Sequence, residues 1–201
     1  MKNKFLVFIF LSLGFFGFAQ SNPESWDAYY YTSYSLNSFK QLPAVHQKIA
    51  GSTFNYRLMD AAIFFRTNEE RIRYNLPEFN FSIALEKAAI GHSIDMAQNN
   101  FFSHQSPIPG KSRMTDRLRQ VGIDFSACAE NIFNSYDDDL TYWLMASKLV
   151  EGWMNSSGHR ANILNPTYRY LGCGAWPFRN PQSPTYYRFM STQNFSDRDA
   201  Q

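Results

Sequence analysis

The sequence predicts an α+β domain in which helices cover a largely antiparallel sheet. Three observations carry this. Helical periodicity dominates the middle of the chain, two runs rich in aromatic and β-forming residues sit together near its end, and strands and helices never alternate in the regular way that builds a parallel sheet.

The first element is a leader. Lys2 and Lys4 precede an apolar run over residues 5–18, and Gly17 and Ala19 supply the small side chains a signal peptidase requires. Residues 1–19 are therefore expected to be a cleavable signal peptide. An apolar run of about 14 residues is short of the ~20 that cross a bilayer, and no later stretch is longer, so the mature chain is expected to lack a transmembrane segment. Secretion, or retention in a periplasm, is the implied localisation.

Without the leader, about 182 of the 201 residues remain, the size of one domain with one sizeable core. Hydrophobic residues at 44% against 18% charged exclude a compositionally disordered chain. The 19 Lys and Arg against 17 Asp and Glu become 17 of each once Lys2 and Lys4 leave. No basic stripe then remains to neutralise phosphates, which excludes a nucleic-acid partner and an anionic membrane surface. Export also puts Cys128 and Cys173 in an oxidising compartment, where they are expected to pair. Such a bond would contribute ~4 kcal/mol in the chain-entropy picture. The alternative is two buried free thiols.

Residues 20–57 are aromatic without a sustained period (Tyr29, Tyr30, Tyr31, Tyr34, Phe39, Phe54) and form a lead-in that packs onto the domain. Residues 58–195 form the domain and residues 196–201 a tail. Leu58, Ala61, Ala62, Phe65 and Ile72 fall at helical spacing, and Asn75, Leu76 and Pro77 end that helix. After a short connection, Ser82 caps a second helix with Leu85, Ala89, His92 and Met96 on its buried stripe. Two prolines and a glycine make residues 101–113 a loop, followed by a short helix over 115–121. The chain then runs extended through Ala129 to Phe133. Asp137, Asp138 and Asp139 suit the start of an amphipathic helix bearing Tyr142, Ala146, Leu149, Val150, Trp153 and Met154. Residues 168–176 and 186–195 form a β-hairpin around a loop holding Pro177, Pro181 and Pro184.

Literal catalytic signatures are missing from the sequence: there is no His-Glu-x-x-His, Cys-x-x-Cys or Gly-x-Ser-x-Gly. Gly110-Lys111-Ser112 is not a phosphate loop, because Gln105 stands where its first glycine belongs. What remains is Phe102-Ser103-His104 in a loop, Ala129-Glu130-Asn131 on the extended segment, and Gly158-His159-Arg160 past the amphipathic helix. Imidazoles with a carboxylate are groups that hold metals or move protons. His92, on a buried stripe, reads as a structural histidine.

These segments resemble a known family. Gly91-His92-Ser93-Ile94-Asp95-Met96-Ala97 with Phe101-Phe102-Ser103-His104 is similar to the second helix and histidine loop of bacterial CAP (SCP-like) proteins. Ala129-Glu130-Asn131-Ile132 resembles their glutamate strand, and the run from Trp153 to Leu164, with Gly158-His159-Arg160 inside it, their most diagnostic segment. Leu171-Gly172-Cys173-Gly174 and Thr192-Gln193-Asn194-Phe195 resemble their closing strands, and Asn68-Glu69-Glu70-Arg71 falls in the first helix. The resemblance runs from about Leu58 to Phe195. It implies a three-layer α-β-α sandwich and an extracellular protein that acts by binding, akin to the cysteine-rich secretory, antigen-five and pathogenesis-related proteins.

The resemblance also implies a cleft of two histidines and two glutamates that in some members holds zinc or another divalent ion. His104, Glu130 and His159 match three of those places. Ser156 stands at the fourth, where animal and plant members carry a glutamate, and Glu151 is out of step with it. His104 and His159 would be the metal ligands. Two imidazoles and one carboxylate are the minimum for zinc, so modest affinity is expected. The leading expectation is a ligand-binding cleft for a lipid, glycan, peptide or surface protein. The alternatives are a metal-dependent hydrolase or peptidase in which Glu130 activates water, and an adhesive or structural surface protein. Ser103, Ser156 and Ser157 are the hydroxyls nearest in sequence to the histidines.

Overall fold

The computed structural model describes residues 28–49, 53–136, 140–180 and 183–200. The expected signal peptide and Asp137, Asp138 and Asp139 lie outside the described residues.

Two short helices, α1 (Tyr29–Ser33) and α2 (Leu36–Lys40), and a 3₁₀ turn over Pro43–His46 open the described chain. They bury Phe39 and Val45 completely, so the lead-in packs onto the domain. The first long helix, α3, spans Tyr56–Arg73; the Asn55 side chain accepts from the Leu58 N–H, and Asn75 beyond its end takes a left-handed φ of 55°. Its stripe departs from the expected one at Ile72, which is 46% exposed.

The connection to the next helix contains a strand that sequence reading missed, β1 (Asn80–Phe81), too short to show any period. Ser82 caps α4 (Ile83–Gln98), its hydroxyl accepting from the Leu85 N–H as expected. Then follow α5 (Met114–Gln120), β2 (Cys128–Tyr136), α6 (Tyr142–Met154), α7 (Ser157–Ile163), β3 (Tyr170–Asn180) and β4 (Ser183–Ser196). The N-cap of α6 is Thr141, which accepts from the Leu144 N–H. The helix containing His159, α7, was not expected as a separate element. The hairpin strands run further than expected: Pro177 pairs with Phe189 inside β3. Beyond Leu171, β3 has no strand on its other side among the described residues, and an edge tolerates a proline.

The sheet order is β1-β3-β4-β2, with β1 parallel to β3 and the other pairs antiparallel. Alternation along β3 defines two faces. A Cβ at Gly172 or Gly174 would collide with the backbone of α4 at Leu85, Glu86 and Ile90, so α4 lies directly on that face. Ser93 seals the contact by donating to the Gly174 carbonyl at 2.9 Å. Leu171, Cys173 and Ala175 point the other way, into the main core with Met59, Ile63, Leu149 and Trp153 of α3 and α6. The result is α4 and α5, then the sheet, then α3 and α6: the expected three layers.

This geometry overturns the expected disulfide. Cys128 pairs with Ser196 and Cys173 with Gln193, on strands flanking β4 on opposite sides. Two strand spacings, roughly 9–10 Å, exceed the reach of a disulfide. Ser196 and Gln193 are also an odd number of residues apart, so the two thiols face opposite sides of the sheet. Both cysteines are free.

Candidate functional site

Glu130 sits on β2, directly opposite Asn194 of β4, on the face that α4 covers. Its side chain is 2% exposed, and an isolated carboxylate at that depth is costly. Four contacts compensate it. Arg117 Nη2, from α5, donates to Oε1 at 2.9 Å and to Oε2 at 2.7 Å. His104 Nδ1 donates to Oε1 at 3.0 Å. The Asn194 amide, oriented by the Ala89 N–H, donates to Oε2 at 3.2 Å. Burial on its own would raise the Glu130 pKa, but the His104 hydrogen bond and the charges of His92 and Arg117 hold it below the usual range.

An ionised carboxylate only accepts, so Nδ1 of His104 carries the proton of that bond. In the neutral ring the Nε2 lone pair then faces outward, and the side chain is 53% exposed. The His104 loop is held from below by Arg117, whose Nη2 donates to the His104 carbonyl at 3.2 Å and whose Nη1 donates to the Lys111 carbonyl at 3.0 Å. His92 is fully buried under this loop. Its Nε2 meets the Ser103 carbonyl at 3.1 Å and stands 3.8 Å from Glu130 Oε1, and burial pushes its pKa down to about 4. The structural reading of His92 holds, with the addition that it floors the site.

His159 reaches the site from the other layer. Asn131, next to Glu130 on β2 but facing α7, donates to the His159 carbonyl at 3.2 Å and accepts from Asn162 at 2.9 Å. Neighbouring residues of one strand thus hold the two histidines from opposite faces, His104 by its ring and His159 by its backbone carbonyl. His159 is half-buried and its Nδ1 is sealed from solvent. Burial lowers its pKa, and the nearby His104 lowers it further. Ser156 is the N-cap residue of α7, and no hydrogen bond joins its side chain to either imidazole among the described residues. Ser103 accepts from the Gln105 N–H and Ser157 is exposed. Glu151 points away, its carboxylate 3.9 Å from Arg66.

Sequence reading missed Arg117 and Asn194. The signal for Arg117 was present: Met114, Arg117, Leu118 and Val121 share one face of α5, and an arginine on a buried face demands an anion. Asn194 gave no signal, because only the strand register puts it across from Glu130.

A divalent ion does not fit these residues well. A carboxylate offers about four acceptor positions, and Arg117, His104 and Asn194 fill those of Glu130. Zinc requires three or four protein ligands. Among the described residues no three His, Cys, Asp or Glu side chains are grouped to hold a metal.

A three-layer α-β-α domain in which a buried carboxylate on β2 holds a half-exposed histidine is the class that fold and site define. The chain belongs to the cysteine-rich secretory protein (CAP) family, whose sequence profile matches residues 64–195. It is 37% identical over 132 residues, 66% of its length, to the uncharacterized membrane protein YlbC of Bacillus subtilis, and 36% identical over 108 residues to the uncharacterized protein YkwD of the same organism. It spans only 32% and 38% of those relatives. A crystal structure of an extracellular, SCP-domain-containing protein of Bacillus anthracis superposes with a TM-score of 0.56 at 35% identity, over 71% of this chain and 41% of that one. An outer surface protein of Borrelia burgdorferi shares the fold at 17% identity and a TM-score of 0.55, over 76% of this chain and 98% of that one. No described helix is long and apolar enough to cross a membrane.

Proposed function

We propose that this chain is an exported binding module whose cleft, formed by His104, Glu130 and His159 with Ser156 beside it, takes the polar group of a lipid, glycan or peptide ligand. The supporting observation is the chain of contacts from Arg117 through Glu130 to His104, which fixes the ring by Nδ1 and leaves Nε2 for a ligand. Preorganisation of this kind lowers the entropic cost of binding. Phe102, 49% exposed and two residues from His104, offers apolar surface for the rest of the ligand. Family membership and the extracellular B. anthracis neighbour support export.

The hydrolase alternative has less support. Glu130 is buried, charge-paired and filled as an acceptor, so it makes a poor base toward water. No serine, threonine or cysteine side chain hydrogen-bonds to either imidazole among the described residues, so no activated nucleophile accompanies them.

The test is a thermal-shift screen of the mature chain against lipid, glycan and peptide libraries, repeated on His104→Ala. Binding predicts a ligand that raises the melting temperature of the parent chain and leaves the variant unchanged. Equal stabilisation of both proteins contradicts the cleft assignment, as does turnover of the ligand by the parent chain.

A further inference from the structure

We infer that Arg117 closes this cleft to divalent cations: it is the built-in counter-ion of Glu130 and so determines which class of ligand the site accepts. A cation bound here would have to draw on the one carboxylate within reach of both His92 and His104. That carboxylate already receives two contacts from one guanidinium nitrogen, one from an imidazole and one from an amide. A metal could join only by displacing one of these donors.

The guanidinium is not free to leave. Arg117 is 3% exposed, and its two terminal nitrogens also hold the carbonyls of Lys111 and His104. Leu118, the next residue on α5, is fully buried and fixes the helix beneath it. Swinging Arg117 out would therefore break the loop that carries His104. The remaining nitrogen donors are equally constrained. His92 is enclosed, with Nε2 on the Ser103 carbonyl, and Nδ1 of His104 is committed to Glu130. Only the outer nitrogens of His104 and His159 remain, two neutral ligands where zinc needs three or four. The carboxylate beside them is neutralised by Arg117 and adds no free anionic ligand. The site is thereby biased toward organic groups that exchange hydrogen bonds with imidazole and away from metal ions. This holds whichever organic ligand the cleft takes.

The experiment is isothermal titration of zinc chloride into the mature chain, Glu130→Gln, Arg117→Met and the Arg117→Met/Glu130→Gln double variant, with near-ultraviolet circular dichroism to report folding. The parent chain and Glu130→Gln are both expected to give no zinc heat above the dilution blank. Arg117→Met is expected to bind zinc at least about tenfold more tightly, with the gain lost in the double variant, because a third ligand has been released. Zinc heat from the parent chain that Glu130→Gln abolishes overturns the inference, and so does a folded Arg117→Met that gains nothing. Should Arg117→Met fail to fold, the titration of the parent chain decides alone: no zinc heat supports the inference and heat that Glu130→Gln abolishes overturns it.

Discussion

Arg117 Nη2 lies 2.9 and 2.7 Å from the two carboxylate oxygens of Glu130, with both side chains almost fully buried. The pair joins α5 to β2, and through the Arg117 bond to the His104 carbonyl it also fixes the loop above. One ion pair therefore sets both a structural joint and the orientation of the imidazole that faces solvent.

Removing one member of such a pair leaves an unpaired buried charge. Glu130→Ala is expected to destabilise the fold by about 3–5 kcal/mol, read as the shift in the denaturant midpoint. A change below about 1 kcal/mol, the size of a surface pair, would show that the interior arrangement differs from that described.

His92 makes stability depend on acid. Unfolded, its imidazole takes up a proton near pH 6.5; folded, it does so near pH 4. Between those values the unfolded chain binds more protons, so stability falls as pH falls through the window. The loss reaches about 3 kcal/mol once pH is below the folded value. His92→Gln, which keeps a donor toward the Ser103 carbonyl, is expected to flatten that part of the pH–stability curve. A variant curve parallel to the parent's would contradict the burial assigned to His92.

Contact between α4 and β3 is set by the two glycines. Gly172→Ala puts a methyl group into the backbone of Leu85 and Glu86, and overpacking against backbone costs 1–3 kcal/mol or more. Gly158→Ala, where the new Cβ meets nothing, serves as a control. Thermal unfolding of the two should differ by several degrees, and equal melting temperatures would show that α4 does not lie directly on that face.

Both thiols are free on opposite faces of the sheet. Alkylation in denaturant without reductant is expected to add two labels per chain, as read by mass spectrometry. Incorporation that requires reductant would reinstate the bond. In the native protein labelling should be slow, since burial pushes the Cys128 thiol up to about 11 and the Cys173 thiol well above its usual value.

Most of the fold was legible because its helices carry strong signals: the Ser82 cap, the stripe of α6 and the break at Asn75 each appear where the sequence indicates. The extended segment holding Glu130 and the paired closing strands were legible for the same reason. What escaped was set by tertiary pairing. β1 exists through its parallel register with β3, and the separation of Cys128 from Cys173 follows from β4 running between them. In the site, the structure brings His104 and Glu130 together and places His159 within electrostatic reach of His104. Arg117 was readable from its place on the buried face of α5 but was passed over, and Asn194 escaped because a strand residue says nothing of what lies opposite it.

The most direct measurement is a long-range ¹⁵N–¹H correlation of the histidine rings, recorded before and after addition of a ligand found by thermal shift. The account predicts His104 protonated at Nδ1 in the free protein, and ring shifts in His104 and His159 together on binding. A ligand that stabilises the chain while both rings stay unmoved would place binding elsewhere and contradict it.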